Sequence, residues 1–322
     1  YVDVNHTPDV ENGSISYPFS KIQRGMDATT YADTVIVKPG TYYENINFTG
    51  DYGITLTGTD PNDFNIVAST VIDGNTNGAV VTFNNDCSVL TGFTITNGYT
   101  EVGFGGGIFC NGQCEEAAPT ISHCVITRNS AAAAGGGIYC YNNSPTISHC
   151  TITGNWAPSS GGGICCQNEG TWFSPTISNC LIAGNSSNSG GGIFLGGGRP
   201  TISHCDISSN YAASGGGIFC ADVNVTVYHS ILWADTAINY GPEIFVMISG
   251  NPSVVTIKYS DVQGGLTGIS YPSGHQPYWD ANDINANPMF VRDPNAGPDG
   301  QWDGVNDDFG DLHLSTDSPC ID

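Results

Sequence analysis

Short runs of alternating hydrophobic and polar residues recur along the chain. Residues 137–152 contain three of them, Gly-Ile-Tyr-Cys, Thr-Ile-Ser and Cys-Thr-Ile. A period of two residues indicates strands that bury one face. Comparable units follow each other every 25 to 30 residues, with no helical pattern between them. Units of short strands stacked at a constant phase predict a parallel β-solenoid.

Two alternating motifs define the repeat. The block Pro-Thr-Ile-Ser-His/Asn-Cys starts at residues 119, 145, 175 and 200, and a Gly-Gly-Gly-Ile block starts at 105, 135, 161, 190 and 215. Degenerate copies extend the series in both directions. We therefore predict an all-β fold with about nine coils and three sheets between Ala32 and Gly265. Residues 1–31 are expected to cap the N-terminal end, with a helix over 19–29 that uses Ser20 as its N-cap. Residues 266–322 are expected to cap the other end.

Equivalent residues of successive coils should form columns along the solenoid. Two cysteine columns are interpreted as buried free thiols, with disulfides between stacked neighbours as the alternative: Cys124, Cys150, Cys180, Cys205; and Cys110, Cys140, Cys166, Cys220. A third column, at the bend after each Thr-Ile-Ser run, is expected to be a buried structural ladder, with a metal shared by stacked imidazoles as the alternative: His123, His149, Asn179, His204, His229. A second polar column is also interpreted as structural: Asn129, Asn155, Asn185, Asn210.

These motifs resemble the right-handed parallel β-helix of pectate-lyase-like proteins. The style of the Gly-Gly-Gly-Ile and Thr-Ile-Ser-His/Asn-Cys blocks is closest to bacterial secreted or surface repeats of the polymorphic outer-membrane-protein type. Residues 33–46 are similar to the opening coil of that superfamily, and residues 311–322 are similar to its C-terminal tails. The resemblance covers nearly the whole chain and implies a single-stranded right-handed β-helix. It leaves the function open, because this fold is found in lyases, hydrolases, adhesins and inert spacers.

The charge of the chain limits its partners. Thirty acidic residues stand against 7 Lys and Arg, for a formal net charge of −23. Nucleic acids and anionic membranes are bound through basic surfaces, so neither is an expected partner. The sequence contains no run of eighteen apolar residues, so no membrane-spanning helix is predicted. The acidic C-terminal tail is a candidate calcium site, with a solvated loop as the alternative: Asp293, Asp299, Asp303, Asp307, Asp308, Asp311.

Candidate chemistry along the predicted sheets is sparse. The resemblance implies that a uronate lyase would need Arg or Lys on an outward strand face, and Lys258 beside Tyr228 is the weak candidate. An outward aromatic column is a candidate glycan or partner platform, with ring stacking under loops as the alternative: Phe109, Tyr139, Phe194, Phe219, Phe245.

We therefore predict a non-catalytic secreted or cell-surface protein. Its expected roles are adhesion, contact with an extracellular polysaccharide or surface protein, or assembly by self-association. The alternative is a polysaccharide lyase or glycoside hydrolase of the pectate-lyase-like superfamily. Regular columns without an acid pair or a cationic strand face favour the first hypothesis.

Overall fold

The chain winds into stacked coils whose strands form four parallel sheets. The structure is a computed structural model and describes residues 1–6, 10–49, 53–112, 118–168, 173–249, 253–272, 276–295, 297–298, 308 and 310–321. Each regular coil passes in turn through the first, second, fourth and third sheets. The parallel β-solenoid predicted from the repeat is confirmed, and the two nine-stranded sheets agree with about nine coils.

The first and second sheets carry the Thr-Ile-Ser motif and the run that follows it. The strands of the first sheet, numbered in chain order throughout, are β1 (Thr34–Val37), β4 (Thr55–Gly58), β7 (Val89–Thr91), β11 (Thr120–Ser122), β15 (Thr146–Ser148), β19 (Thr176–Ser178), β23 (Thr201–Ser203), β27 (Asn224–Tyr228), β31 (Val254–Lys258) and β34 (Tyr278–Trp279). Those of the second sheet are β2 (Gly40–Tyr43), β5 (Thr70–Asp73), β8 (Thr94–Thr96), β12 (Val125–Thr127), β16 (Thr151–Thr153), β20 (Leu181–Ala183), β24 (Asp206–Ser208), β28 (Ile231–Trp233) and β32 (Asp261–Val262).

The third sheet carries the residues that follow each Gly-Gly-Gly bend. Its strands are β3 (Ile46–Thr49), β6 (Val81–Asn84), β10 (Ile108–Asn111), β14 (Ile138–Tyr141), β18 (Ile164–Gln167), β22 (Ile193–Gly196), β26 (Ile218–Ala221), β30 (Ile244–Met247) and β33 (Ile269–Ser270). The inward-facing isoleucines of the first, second and third sheets, such as Ile121, Ile126 and Ile138, are fully buried, so one continuous apolar core runs along the helix axis.

A fourth sheet was not among the three predicted. It has six strands: β9 (Tyr99–Thr100), β13 (Ser130–Ala131), β17 (Trp156–Ser160), β21 (Ser186–Ser189), β25 (Tyr211–Ser214) and β29 (Thr236–Tyr240). These strands are rich in Ala and Ser and bury small residues such as Ala157 and Ala212. The prediction missed them because small residues give no hydrophobic alternation that marks a strand.

The N-terminal end is covered by helix α1 (Ile22–Asp27), with Ile22 and Met26 buried against the core. The prediction that Ser20 caps this helix is wrong. The N-cap residue is Lys21, whose side chain makes no capping bond. Instead, the carboxylate of Glu44 accepts hydrogen bonds from the backbone N–H groups of Ile22 and Gln23, at 2.8 and 3.1 Å. A carboxylate from the first complete coil thus satisfies the free donors at the helix start.

The remaining elements interrupt or follow the coils. Helix α2 (Phe64–Ser69) is inserted between β4 and β5 and is capped by Asp63, whose side chain accepts from the N–H of Asn65. A 3₁₀ turn spans Gly265–Gly268. Strands β35 (Phe290–Arg292) and β36 (Asp311–Leu314) pair antiparallel after the last coil. No helix in the described part of the chain is long and apolar enough to cross a membrane.

A buried ladder of amides joins successive coils at the bend where each coil enters the fourth sheet. It consists of Asn129, Asn155, Asn185 and Asn210. Each Nδ2 donates to the Oδ1 of the next coil at 3.0–3.1 Å, and the last donates to Asp235 Oδ1 at 2.9 Å. The structural interpretation of this column is confirmed.

The histidine column lies at the bend between the first and second sheets, but it is not buried. We call His123, His149, Asn179, His204, His229 and Tyr259 the turn column; its members are half-buried or exposed. All six have φ between 48° and 53°, in the left-handed region. The expected buried ladder is therefore wrong at this position. His and Asn recur here because they tolerate left-handed backbone better than most residues do.

The cysteine columns are buried and unpaired, as predicted. All cysteines in the described residues are free, and those of both columns are buried. After the bend, each thiol donates to the carbonyl two residues earlier, as Cys150 Sγ does to Ser148 O at 3.3 Å. Ser230 and Ser260 continue the column and make the same bond, at 3.0 and 2.9 Å. The column therefore requires a small side chain that can donate to this carbonyl.

Candidate functional site: a cleft at the C-terminal coils

Aromatic rings continue the turn column toward the C-terminal end. The ring of His204 stacks on that of His229 with centroids 5.0 Å apart, and His229 stacks on Tyr259 at 5.2 Å. Tyr259 follows β31 and keeps 53% of its surface exposed. The left-handed backbone at each position points these side chains away from the core. The three rings therefore form an open aromatic wall across successive coils.

Two carboxylates lie beside this wall on the second sheet. Asp206 on β24 is in register with Ile231 on β28, which is in register with Asp261 on β32. The three residues form one outward column, because the neighbouring column of Ile207, Leu232 and Val262 is buried in the core. Two strand spacings put the backbones of the two aspartates about 9.5 Å apart.

The wall and the carboxylates border one cleft with a volume of about 750 Å³. The final segment of the chain forms its opposite side through Leu314, Pro319 and Cys320, and Asn282 adds an amide. None of the described lining residues is Lys or Arg. The cleft therefore offers ring faces, carboxylates and an amide.

Burial changes the acidity of both carboxylates. It raises the pKa of Asp206 to about 6, and the nearby His313 opposes this rise. Burial also raises the pKa of Asp261, against hydrogen bonds from Cys320 and Ala286. Asp206 consequently holds a proton at mildly acidic pH, which an exposed aspartate does not.

Asp261 is held in place by the C-terminal segment. Its Oδ2 accepts from Cys320 Sγ at 3.1 Å, and its Oδ1 accepts from Ala286 N at 3.1 Å. Burial and the adjacent Asp261 raise the pKa of Cys320 to about 12, so this thiol stays protonated and acts as a donor. Asp261 is only 3% exposed, so it mainly anchors the C-terminal segment, whereas the half-buried Asp206 can accept from sugar hydroxyls or move a proton.

The predicted aromatic column lies on the third sheet and is largely covered. Tyr139 and Phe219 are only 4% and 5% exposed, whereas Phe109, Phe194 and Phe245 are half-buried. The rings stack among themselves, for example Phe194 on Phe219 with centroids 5.2 Å apart. Glycan or partner binding by this column stays a prediction.

The predicted lyase pair is adjacent, as expected from the repeat. Tyr228 on β27 and Lys258 on β31 are in direct register. The ammonium group of Lys258 lies 5.8 Å from the ring centroid of Tyr278. Both residues immediately precede wall residues in the chain, His229 and Tyr259, so the pair lies next to the cleft on the first sheet.

The acidic tail is only partly described. Asp299, Asp303 and Asp307 lie outside the described residues. Asp293 is exposed, Asp308 accepts from Arg292 at 3.0 Å, and Asp311 contacts His313. The described residues contain no group of three or more His, Cys, Asp or Glu side chains that could hold a metal. Calcium binding by the full tail stays a prediction.

Sequence reasoning missed Asp206, Asp261 and Tyr259 as site residues. Their signal was a departure from the repeat. Tyr259 occupies a position that His or Asn fills in earlier coils. Asp206 and Asp261 occupy a position that hydrophobic residues or Thr fill in earlier coils. The contribution of the C-terminal segment had no sequence signal, because Leu314 and Cys320 reach the cleft only through tertiary packing.

Comparisons with known proteins identify the fold. The family described as the right handed beta helix region matches residues 30–171. No curated protein matches the chain significantly. A solved pectin methylesterase from Aspergillus niger is 16% identical, with a TM-score of 0.52, over 83% of this chain and 90% of its own. The pectate lyase Pel9A is 13% identical, with a TM-score of 0.55, over 99% of this chain and 89% of its own.

The chain therefore has the right-handed parallel β-helix fold, as its repeats indicated. At these identities the two solved structures support the fold alone. The family match ends before the cleft begins, so the cleft must be interpreted from its own residues.

Proposed function

We propose that this protein is an extracellular polysaccharide-binding β-helix and that the cleft holds a segment of the glycan. The observation that carries the proposal is the wall of His204, His229 and Tyr259, which lines one cleft together with the carboxylates of Asp206 and Asp261. Ring faces stack on sugar rings, and carboxylates accept from sugar hydroxyls. The absence of Lys and Arg among the described lining residues favours a neutral saccharide over a uronate.

The extracellular location belongs to the same proposal. The fold likeness to a pectin methylesterase and a pectate lyase supports it, because pectin is a polysaccharide of the extracellular wall. Fractionation of the source cells, followed by immunodetection, tests the location. Recovery of the protein only from the cell interior would contradict it.

Calorimetric titration tests binding in the cleft. Neutral oligosaccharides are expected to bind, and oligogalacturonates to bind more weakly. Tyr259→Ala should weaken binding by about tenfold, because it removes an exposed ring of the wall. Tyr43→Ala is the matched control, since Tyr43 is 69% exposed on β2 at the opposite end of the second sheet. Equal affinities of both variants would overturn the assignment to the cleft.

A second candidate function is glycoside hydrolysis at the same carboxylates. The rise in the pKa of Asp206 to about 6 favours it, because a general acid must hold its proton near the working pH.

Product analysis separates these functions. Hydrolysis predicts reducing ends released at about pH 5 to 6, and their loss in Asp206→Asn. A lyase centred on Lys258 and Tyr228 predicts unsaturated products that Lys258→Ala abolishes. If neither product forms while binding persists, the non-catalytic proposal stands and both enzymatic candidates fail.

A further inference from the structure

The outward face of the fourth sheet carries an exposed ring column that the sequence motifs did not reveal. The first residues of its strands are in register and point to solvent: Tyr99, Ser130, Trp156, Ser186, Tyr211, Thr236. The next residue of a strand points inward, and Ala131, Ala157 and Ala212 are fully buried. Outward direction is thus fixed by the strand alternation.

The aromatic members occupy every second coil. Tyr99, Trp156 and Tyr211 are 38%, 43% and 43% exposed, and Ser130 and Ser186 separate them. Neighbouring parallel strands are about 4.8 Å apart, so successive rings are about 9.6 Å apart. At this distance the rings do not stack on each other, and each keeps more than a third of its surface exposed.

The face around the rings is uncharged. None of the residues in β9, β13, β17, β21, β25 and β29 is Asp, Glu, Lys or Arg. The nearest charged residues along the chain are Asp235, which is buried directly before β29, Glu101, directly after β9, and Arg128, two residues before β13. In a chain of net charge −23, a neutral strip with rings and hydroxyls is suited to a neutral ligand rather than to an ionic one.

The spacing of the rings is held rigidly from inside. Asn129, Asn155, Asn185 and Asn210 immediately precede the strands β13, β17, β21 and β25, and their buried amides bond each coil to the next at 3.0–3.1 Å or, to Asp235, at 2.9 Å. A ligand that matches the spacing therefore binds without ordering the platform first.

We propose that Tyr99, Trp156 and Tyr211 form a flat binding platform for an extended, neutral, β-linked polysaccharide chain. In such a chain alternate sugar rings present the same face to one side, so a row of aromatic rings on alternate coils contacts every second sugar. The intervening Ser and Thr hydroxyls hydrogen-bond sugar hydroxyls between the stacking contacts. The platform shares no residue with the cleft, so it goes beyond the proposed function and stands or fails separately.

Sedimentation with insoluble β-1,4-glucan tests the platform in the full chain. The wild type is expected to bind, and Trp156→Ala is expected to lose at least about fivefold in affinity. Tyr99→Ala and Tyr211→Ala should each weaken binding, and the triple variant should abolish it. Tyr43→Ala should bind as the wild type does, with unfolding midpoints measured to confirm folding.

Three outcomes overturn the proposal. One is that Trp156→Ala and the triple variant are both folded and both bind as tightly as the wild type. Another is equal binding to an α-1,4-glucan, which does not extend with alternating faces. Loss of insoluble-glucan binding in Tyr259→Ala, but not in Trp156→Ala, would place the contact in the cleft and also exclude the platform.

Discussion

The middle coils and the C-terminal coils are built on the same columns, but they fill them differently. Between residues 119 and 220 the amide ladder and the turn column hold only Asn or His, and the column after the bend holds only Cys. From Tyr228 onward, Asp235 takes the ladder position, Tyr259 the turn column, and Ser230 and Ser260 the thiol position. The cleft lies where these substitutions begin.

This difference indicates that the middle coils stabilise the fold, whereas the C-terminal coils carry the candidate site. In the middle coils every ladder amide has partners in the adjacent coils, so the repeat satisfies itself. At the C-terminal end, Glu243 replaces the third glycine of the bend and lies beside Asp235, and both carboxyls are buried. Asp235 Oδ2 and Glu243 Oε2 have no hydrogen-bond partner in the described residues. Departures from a regular pattern that cost stability are expected near functional sites.

Breaking the middle of the ladder should have the largest effect. Asn185→Ala removes the bonds from Asn185 Nδ2 to Ile152 O at 2.9 Å and to Asn210 Oδ1 at 3.0 Å, and it leaves buried donors of Asn155 unpaired. We expect a loss of about 3–5 kcal/mol in the free energy of unfolding, measured in urea. Asn188→Ala, an exposed change on β21, is the control and should lie within about 0.5 kcal/mol of wild type. A similar small loss for both would show that the ladder does not stabilise the coils.

Restoring the ladder at its C-terminal end should have a smaller effect of the opposite sign. Burial raises the pKa of Asp235 to about 7 from 3.8, and burial and Asp235 together raise that of Glu243. Because the folded pKa exceeds the unfolded one, Asp235 destabilises the fold progressively as pH rises from about 4 to about 7. Asp235→Asn keeps the acceptor for Asn210 and adds a donor toward Glu243.

The gain from Asp235→Asn should therefore appear above that window. We expect about 2–4 kcal/mol at pH 8 and little at pH 4, measured as unfolding free energies across pH. Asp317→Asn, at an exposed position, controls for the change in net charge. A gain that is equal at pH 4 and pH 8 would exclude the titration of Asp235 as its cause.

Exchange within the turn column should have the smallest effect. His149→Asn places at φ 53° the residue that Asn179 already provides at φ 52° in the next coil. We expect a change within about 0.5 kcal/mol. His149→Val should instead lose about 1–2 kcal/mol, because a β-branched residue is strained in left-handed backbone. If both variants have the same midpoint of thermal unfolding, backbone conformation does not explain this column.

Much of the fold could be predicted from the repeat because its columns are defined by period alone. The inward isoleucines, the buried thiols and the amide ladder each recur at a fixed position of the middle coils. The helix cap was placed correctly as an element, but its capping group was not, because Glu44 reaches Ile22 from another coil. The exposure of the turn column also depended on which way the bend turns.

The sites were less predictable for a related reason. The third-sheet aromatics were prominent in the motif, yet Tyr139 is covered by its neighbours, whereas Trp156 is open on a sheet with no hydrophobic pattern. Residues that vary between coils, such as Asp206 and Tyr259, do not appear in the consensus of the repeat. They line the cleft because the fold brings them together on neighbouring coils.

By itself the sequence determined the parallel β-helix, its coil length and its buried columns, since alternation and period dictate which side chains face a shared core. Only the tertiary structure decided which outward residues stay open, how the final segment closes the cleft around Asp261, and that rings on alternate coils form a flat face. These features depend on the packing of segments far apart in the chain and on strand register, which local hydrophobic patterns do not specify.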